Sequence, residues 1–229
     1  NNTEHAANLF GLKEFGNIYS RLGNPTVGAL EARLTALEDG AMCVALSSGT
    51  SAVMYSLINI MSQGDNFVTS NQLYGGTYTM FDNILPEYGI NSKKVDITDF
   101  EAVESAIDEK TRAIYCETIT NLGLVVADIS ALADIAHSKG IPLIVDATFT
   151  TSAILKPFEF GADIVVYSLT KWMSGHGRVI AGAVIEKGGF DWGNGNFPLY
   201  DKPDTSYGGM RWGHDLGDLG NVAYSLRLR

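Results

Sequence analysis

Six short apolar runs punctuate the chain: "MCVAL" (42–46), "NFVTSN" (66–71), "AIYCET" (113–118), "IPLIVDA" (141–147), "ADIVVYSL" (162–169) and "VIAGAVIE" (179–186). Each has strand length and no polar alternation, the pattern of strands covered on both faces. The first four are separated by segments of helical period. In "TVGALEARLTALEDG" Val27, Leu30, Leu34 and Leu37 share one face and Gly40 is a stop; "SGTSAVMYSLINIMSQG" runs to Gly64. "GGTYTMFDNILPEYG" is helical until kinked or ended by Pro86, and in "DITDFEAVESAIDEKTR" Thr98 with Glu101 forms a capping box. Asp128 caps "ISALADIAHSKG", which Gly140 stops. Strands alternating with helices define an α/β fold, a mainly parallel sheet with helices on both faces.

In such sheets ligands bind at the carboxyl ends of the strands. Sorting the chain by the residues just past each strand places Ser47, Ser48, Gly49, Thr50 and Ser51 after the first, and Tyr74, Gly75, Gly76 and Thr77 after the second. Thr120 and Asn121 come after the third, Asp146 and Thr148 end the fourth, and Ser168, Thr170 and Lys171 end the fifth. Polar chemistry is concentrated on one edge.

Composition narrows the ligand. The 229 residues are 45% hydrophobic and 18% charged, enough for one sizeable core, and the net charge of −10 argues against a nucleic-acid surface. No apolar run reaches the length of a membrane span and no signal-peptide pattern opens the chain, which points to a cytoplasmic protein without membrane association. Cys43 and Cys116 sit in apolar runs and read as buried free thiols, in keeping with a reducing compartment. No residue is assigned to a metal. The chain opens on Asn rather than Met and stops on "LRLR" inside a helical pattern, which reads as a piece of a longer protein.

At the edge, "SSGTSA" at a helix start offers amides and hydroxyls that suit a phosphate, although a plain Ser cap explains it equally. Asp146 ends an apolar strand, so its carboxylate needs a partner, either a protonated ring nitrogen or a structural cap. Tyr74, next to two glycines, can stack on a planar ring or pack on the surface. Lys171, desolvated among Ser168, Thr170 and Ser174, would be a nucleophilic amine; otherwise it is a surface lysine. Together they meet the needs of pyridoxal 5'-phosphate (PLP): phosphate cradle, stacking ring, carboxylate for the pyridinium nitrogen and Schiff-base lysine.

With "YSRLGNPT" (19–26), "LYGGTY" (73–78), "ET" before Asn121, "VDATF" (145–149) and "SLTKWMSGHG" (168–177), the chain resembles the fold-type I PLP enzymes of cysteine and methionine metabolism. "EHAANLFGLKEFGNIYSRLGNPT", "FDWGNGNFPLYDKPDTSYGG" and Gly76 are most similar to the O-acetylhomoserine sulfhydrylase branch. The resemblance implies that Lys171 and Tyr74 are catalytic, Lys171 as Schiff base and Tyr74 as stacking group and proton carrier. It implies that Asp146 meets the ring nitrogen, that Gly49, Thr50, Ser168 and Thr170 hold the phosphate, and that Thr148 and Asn121 complete the cofactor site. Tyr19 and Arg21 would reach the phosphate of a neighbouring subunit in a homo-oligomer, a dimer or homotetramer. It implies an arm and first helix over 1–40, a large PLP-binding domain over 41–229, and a small C-terminal domain absent from this chain. The expected reaction is γ-replacement in methionine biosynthesis: O-acetylhomoserine and sulfide, or another thiol, give homocysteine and acetate.

Leu122 stands where the family commonly has Pro, "VDATF" replaces "VDNTF", "SSGTSA" is an unusual phosphate turn, and the family's carboxylate-binding arginine has no counterpart here. Those departures keep open a non-catalytic PLP-binding or assembly module. A cystathionine γ-synthase or a methionine or cystathionine γ-lyase stays open because it uses the same parts, and a Rossmann-type nucleotide domain because of the α/β alternation and the Ser/Gly turn.

Overall fold

The computed structural model describes residues 2–11, 14 and 16–229. In chain order the main elements are α1 (Thr3–Phe10), α2 (Pro25–Glu38), β1 (Met42–Leu46), α3 (Gly49–Ile58), β2 (Asn66–Ser70), α4 (Gly75–Thr79), β3 (Asn91–Val95) and α5 (Phe100–Ala106). They continue with β4 (Thr111–Glu117), α6 (Ile129–Ser138), β5 (Leu143–Asp146), α7 (Thr151–Ile154), β6 (Ile164–Ser168), β7 (Gly182–Glu186), α8 (Pro198–Asp201) and α9 (Ala223–Leu228). A seven-stranded sheet runs in the order β1-β7-β6-β5-β4-β2-β3. Pairing is parallel from β6 through β3, and β7 is antiparallel to both β6 and β1. The mainly parallel α/β sheet expected from the sequence is present.

Two cores explain the unbroken apolar runs. Successive residues point to opposite faces of a strand, so Ile114, Cys116, Val165 and Tyr167 pack with Leu34, Val103, Leu132 and Ala136 of α2, α5 and α6. Their neighbours Ala113, Tyr115, Ile164 and Val166 pack with Val53 and Leu57 of α3 and with Phe81, Trp192, Tyr200 and Tyr224 on the other face. Burying each large side chain contributes about 1.5–3 kcal/mol. Cys43 and Cys116 are buried and free, and burial raises both thiols. Among the described residues no helix is long and apolar enough to cross a membrane.

Several local expectations change. The cap of α5 is Asp99, which accepts the Ala102 amide at 3.0 Å; Thr98 instead bonds Asp96. Helix α3 ends at Ile58, short of Gly64; the buried Asn59 that follows it donates its side-chain amide to Tyr200 Oη and the Tyr224 carbonyl. Strand β3, "NSKKV", has no apolar run because it lies on the sheet edge, where Lys94 crosses the Tyr78 ring. On α2 only Leu34 of the apolar face is buried; Val27, Leu30 and Leu37 are exposed while Glu31 and Glu38 turn inward. Glu31 accepts the Ala45 amide and pairs with Arg229, and Tyr167 donates to Glu38, so polar anchoring sets how α2 sits on the sheet.

Candidate active site

The carboxyl edge forms a cleft of about 420 Å³. Its first wall is the start of α3. Ser48 caps that helix by accepting the Ser51 amide at 3.0 Å. The first-turn amides of Gly49 and Thr50 then have no intrahelical acceptor and point to the positive end of the helix dipole. Gly49 is required by close packing: a Cβ there would stand 2.7 Å from Ser168 Oγ and 2.8 Å from Ser168 Cα. A Cβ on Gly182, level with Ser168 in the β6–β7 pairing, would land on the Ser48 carbonyl. Helix α3, β6 and β7 therefore meet with no space for side chains, which brings the Ser168 hydroxyl against the start of α3 at Gly49.

The floor carries two carboxylates. Asp146 and Glu117 are register neighbours at the ends of β5 and β4, and among the described residues neither has a salt-bridge partner. Asp146 accepts the Thr148 amide at 2.9 Å and the Tyr115 hydroxyl at 3.3 Å. Desolvation raises its pKa. Burial, with a smaller push from Asp146, raises Glu117 to about 7 although two amides bond it. Tyr115 is held edge-on by Phe81, at 5.2 Å between ring centroids, so its hydroxyl is fixed beneath Asp146. Thr148 also ties the floor to the wall, its hydroxyl accepting the Ser168 amide at 2.8 Å.

Lys171 stands in the turn after β6, its amide donating to the Ser168 carbonyl at 3.2 Å. It lines the cleft but is exposed, so the expected desolvation is not met in this chain. The flanking Trp172 and Ile180 are themselves open to solvent and do not close over it. Tyr74, half-exposed, precedes α4 and leans toward Gly76, where a Cβ would come 2.7 Å from its ring. Thr170 spends its hydroxyl on residue 181, donating to the carbonyl at 3.3 Å and accepting the amide at 3.2 Å. Asn121 joins from the turn after β4, in which Leu124 adopts a left-handed φ of 52°.

Gly49, Thr50, Tyr74, Asn121, Asp146, Thr148, Ser168, Thr170 and Lys171 all line this one cleft. Tyr19 and Arg21 do not. Tyr19 is exposed, and Arg21 donates to the Arg229 carbonyl at 3.1 Å. Glu117, Phe149, Trp172 and Ile180 also line the cleft. Glu117 carries the same signal that singled out Asp146, a carboxylate ending an apolar strand; the other three carry no chemical signal at all.

The model of the family described as Cys/Met metabolism PLP-dependent enzyme matches residues 1–210. The chain belongs to this family. As a member it is similar to O-acetyl-L-homoserine sulfhydrylase of Leptospira meyeri, 45% identical over 99% of this chain and 52% of the relative. Homocysteine synthase of Schizosaccharomyces pombe is 43% identical over 99% of this chain and 53% of the relative. Among solved structures, a putative O-acetylhomoserine (thiol)-lyase of Campylobacter jejuni containing N'-pyridoxyl-lysine-5'-monophosphate superposes with a TM-score of 0.90. It is 37% identical and the match covers 99% of this chain and 61% of that one. The chain spans about half the length of the curated relatives it matches.

The cleft fits the family's cofactor on its own terms. Free amides and a hydroxyl at one end suit a phosphate. A floor carboxylate with no charged partner among the described residues suits a cationic ring nitrogen, and an amine and a phenol stand on the rim.

Proposed function

We propose that this chain is the PLP-binding part of an enzyme that replaces the γ-substituent of O-acetylhomoserine with sulfide, forming homocysteine and acetate. The observation that supports it most is the convergence of nine chemically complementary residues on one cleft, in a family whose sulfhydrylase members match over nearly the whole chain. When bound, PLP supplies an aldehyde that links to an amine and a ring that takes up electron density from the substrate.

The chain's own residues do the rest. The Gly49 and Thr50 amides with the Ser168 hydroxyl hold the phosphate, and Thr170 and Thr148 brace that end through Ala181 and Ser168. Asp146, kept in place by Tyr115 and Thr148, keeps the ring nitrogen protonated, and Asn121 borders the ring. Tyr74, on the rim of the cleft, would stack on the cofactor and shield it from water. The Lys171 amine would anchor the cofactor and, when free, would take and return the substrate's α-proton; Tyr74 Oη would assist that transfer.

Residues 1–40 are then an arm and first helix and 41–229 the cofactor domain, and the substrate carboxylate is assigned to none of them. Tyr19 and Arg21, with the exposed Val27, Leu30 and Leu37 of α2, face a neighbouring subunit of a homo-oligomer. Two free thiols suit the cytoplasm. The test is to supply PLP, O-acetylhomoserine and sulfide and to identify the product. Homocysteine that depends on sulfide supports the sulfhydrylase; a 2-oxo acid formed without sulfide indicates a γ-lyase; bound cofactor without turnover indicates a binding module.

A further inference from the structure

Glu117 is 6% exposed at the carboxyl end of β4, in register with a second carboxylate, Asp146. A charge placed there is costly without a cation, and among the described residues it has none. Its two oxygens go instead to two backbone amides in different loops. Oε1 accepts the Tyr74 amide at 2.7 Å, from a residue 43 positions away, and Oε2 accepts the Asn121 amide at 3.0 Å. The Tyr74 end of α4 has no side-chain cap of its own. Beyond Glu117, the loops are joined by a long bond, Thr120 Oγ1 to Gln72 Oε1 at 3.3 Å. A glutamine could not replace this arrangement, since its amide nitrogen would face one of the N–H groups.

We infer that Glu117 is a positioning residue whose carboxylate clasps the Tyr74 loop and the Asn121 loop to one point on β4, so that both side chains are set over the cleft as a unit. The inference rests on the cofactor reading of the cleft, because only there do Tyr74 and Asn121 need a common frame. Burial and the Asp146 charge push Glu117 up to about 7, a cost that the two charge-assisted bonds offset only in part, so the two-sided clasp belongs to the ionised carboxylate above that pH.

The test compares the parent with Glu117→Leu, which removes both acceptors, and Glu117→Gln, which keeps one. Amide hydrogen exchange is followed by mass spectrometry without cofactor at pH 8, where the Glu117 carboxyl is ionised. In Glu117→Leu, residues 71–78 and 119–124 should both exchange faster by about tenfold or more, as expected for bonds to a charged acceptor. Residues 129–146 should keep the parent rate. In Glu117→Gln at least one of the two segments should speed up. After loading with PLP, this variant should retain the adduct at Lys171 on borohydride reduction while its cofactor dissociation constant rises severalfold. Unchanged exchange in both loops, or a uniform increase across the chain, overturns the clasp; if Glu117→Leu fails to fold, Glu117→Gln alone decides. Failure of the parent to form any adduct at Lys171 refutes the cofactor reading instead, and the exchange data still decide the clasp.

Discussion

Replacing Gly49 with alanine puts a methyl group where α3 meets β6. The new Cβ would stand 2.7 Å from Ser168 Oγ and 2.8 Å from Ser168 Cα, and also against Ser168 Cβ. Rotating the serine frees only its hydroxyl; the Cα can move only with β6. Ordinary contact therefore requires the helix start and the strand to separate by most of an ångström. Overpacking of this kind costs about 1–3 kcal/mol. Gly28, inside α2 with nothing within 4 Å of its would-be Cβ, is the control: alanine there should stabilise by up to about 1 kcal/mol. The two variants should differ by about 1–4 kcal/mol, or roughly 2–16 °C in melting temperature for a chain of this size. Urea and thermal unfolding measure the difference, and cofactor titration should show weaker binding in Gly49→Ala alone. A Gly49→Ala protein as stable as the parent, with unchanged cofactor affinity, would refute the close-packed cradle.

Glu117 holds its proton in the folded chain up to about 7 against an ordinary 4.5. Its stabilising contribution is thus complete below the unfolded value and is lost as pH rises through the folded one, a change of about 3 kcal/mol. In the cofactor-free protein, the stability of the parent relative to Glu117→Gln should fall by that order between pH 4.5 and 8; a flat difference contradicts the burial argument. Asp146→Asn removes the ring-nitrogen partner, so cofactor affinity should fall at least about tenfold without loss of cofactor-free stability at neutral pH, as read by titration and melting. Arg112 and Asp65 form a salt bridge at 2.9 Å that is nearly fully buried. Arg112→Leu alone should cost about 3–5 kcal/mol, and adding Asp65→Asn should recover part of it, which a double-mutant cycle in urea tests.

Much of this was legible in the residues because burial on both faces leaves a mark. The runs around Val68, Ile114, Ile144 and Val165 are apolar without alternation, and each lies in the interior of the sheet. Their polar ends fall on one edge because parallel strands share a direction, and that brought Asp146, Ser168 and Lys171 to one cleft. Strand β3 escaped because an edge strand with half-covered lysines has no such mark. The reversal of β7 escaped because direction comes from topology, not from "GAVIE" itself. On α2 the periodicity was correct, but an apolar face does not say what it faces, and polar anchors at Glu31 and Glu38 decided it. Phe149, Trp172 and Ile180 were invisible as site residues because apolar side chains at strand ends are ordinary. Glu117 was readable by the rule applied to Asp146.

The most direct test of the cofactor site is borohydride reduction of the protein after incubation with PLP, with peptide mapping of the product. Loss of the visible cofactor band and a pyridoxyl group on Lys171, absent in Lys171→Ala, is the predicted result. No adduct, or an adduct on another lysine that persists in Lys171→Ala, would contradict it.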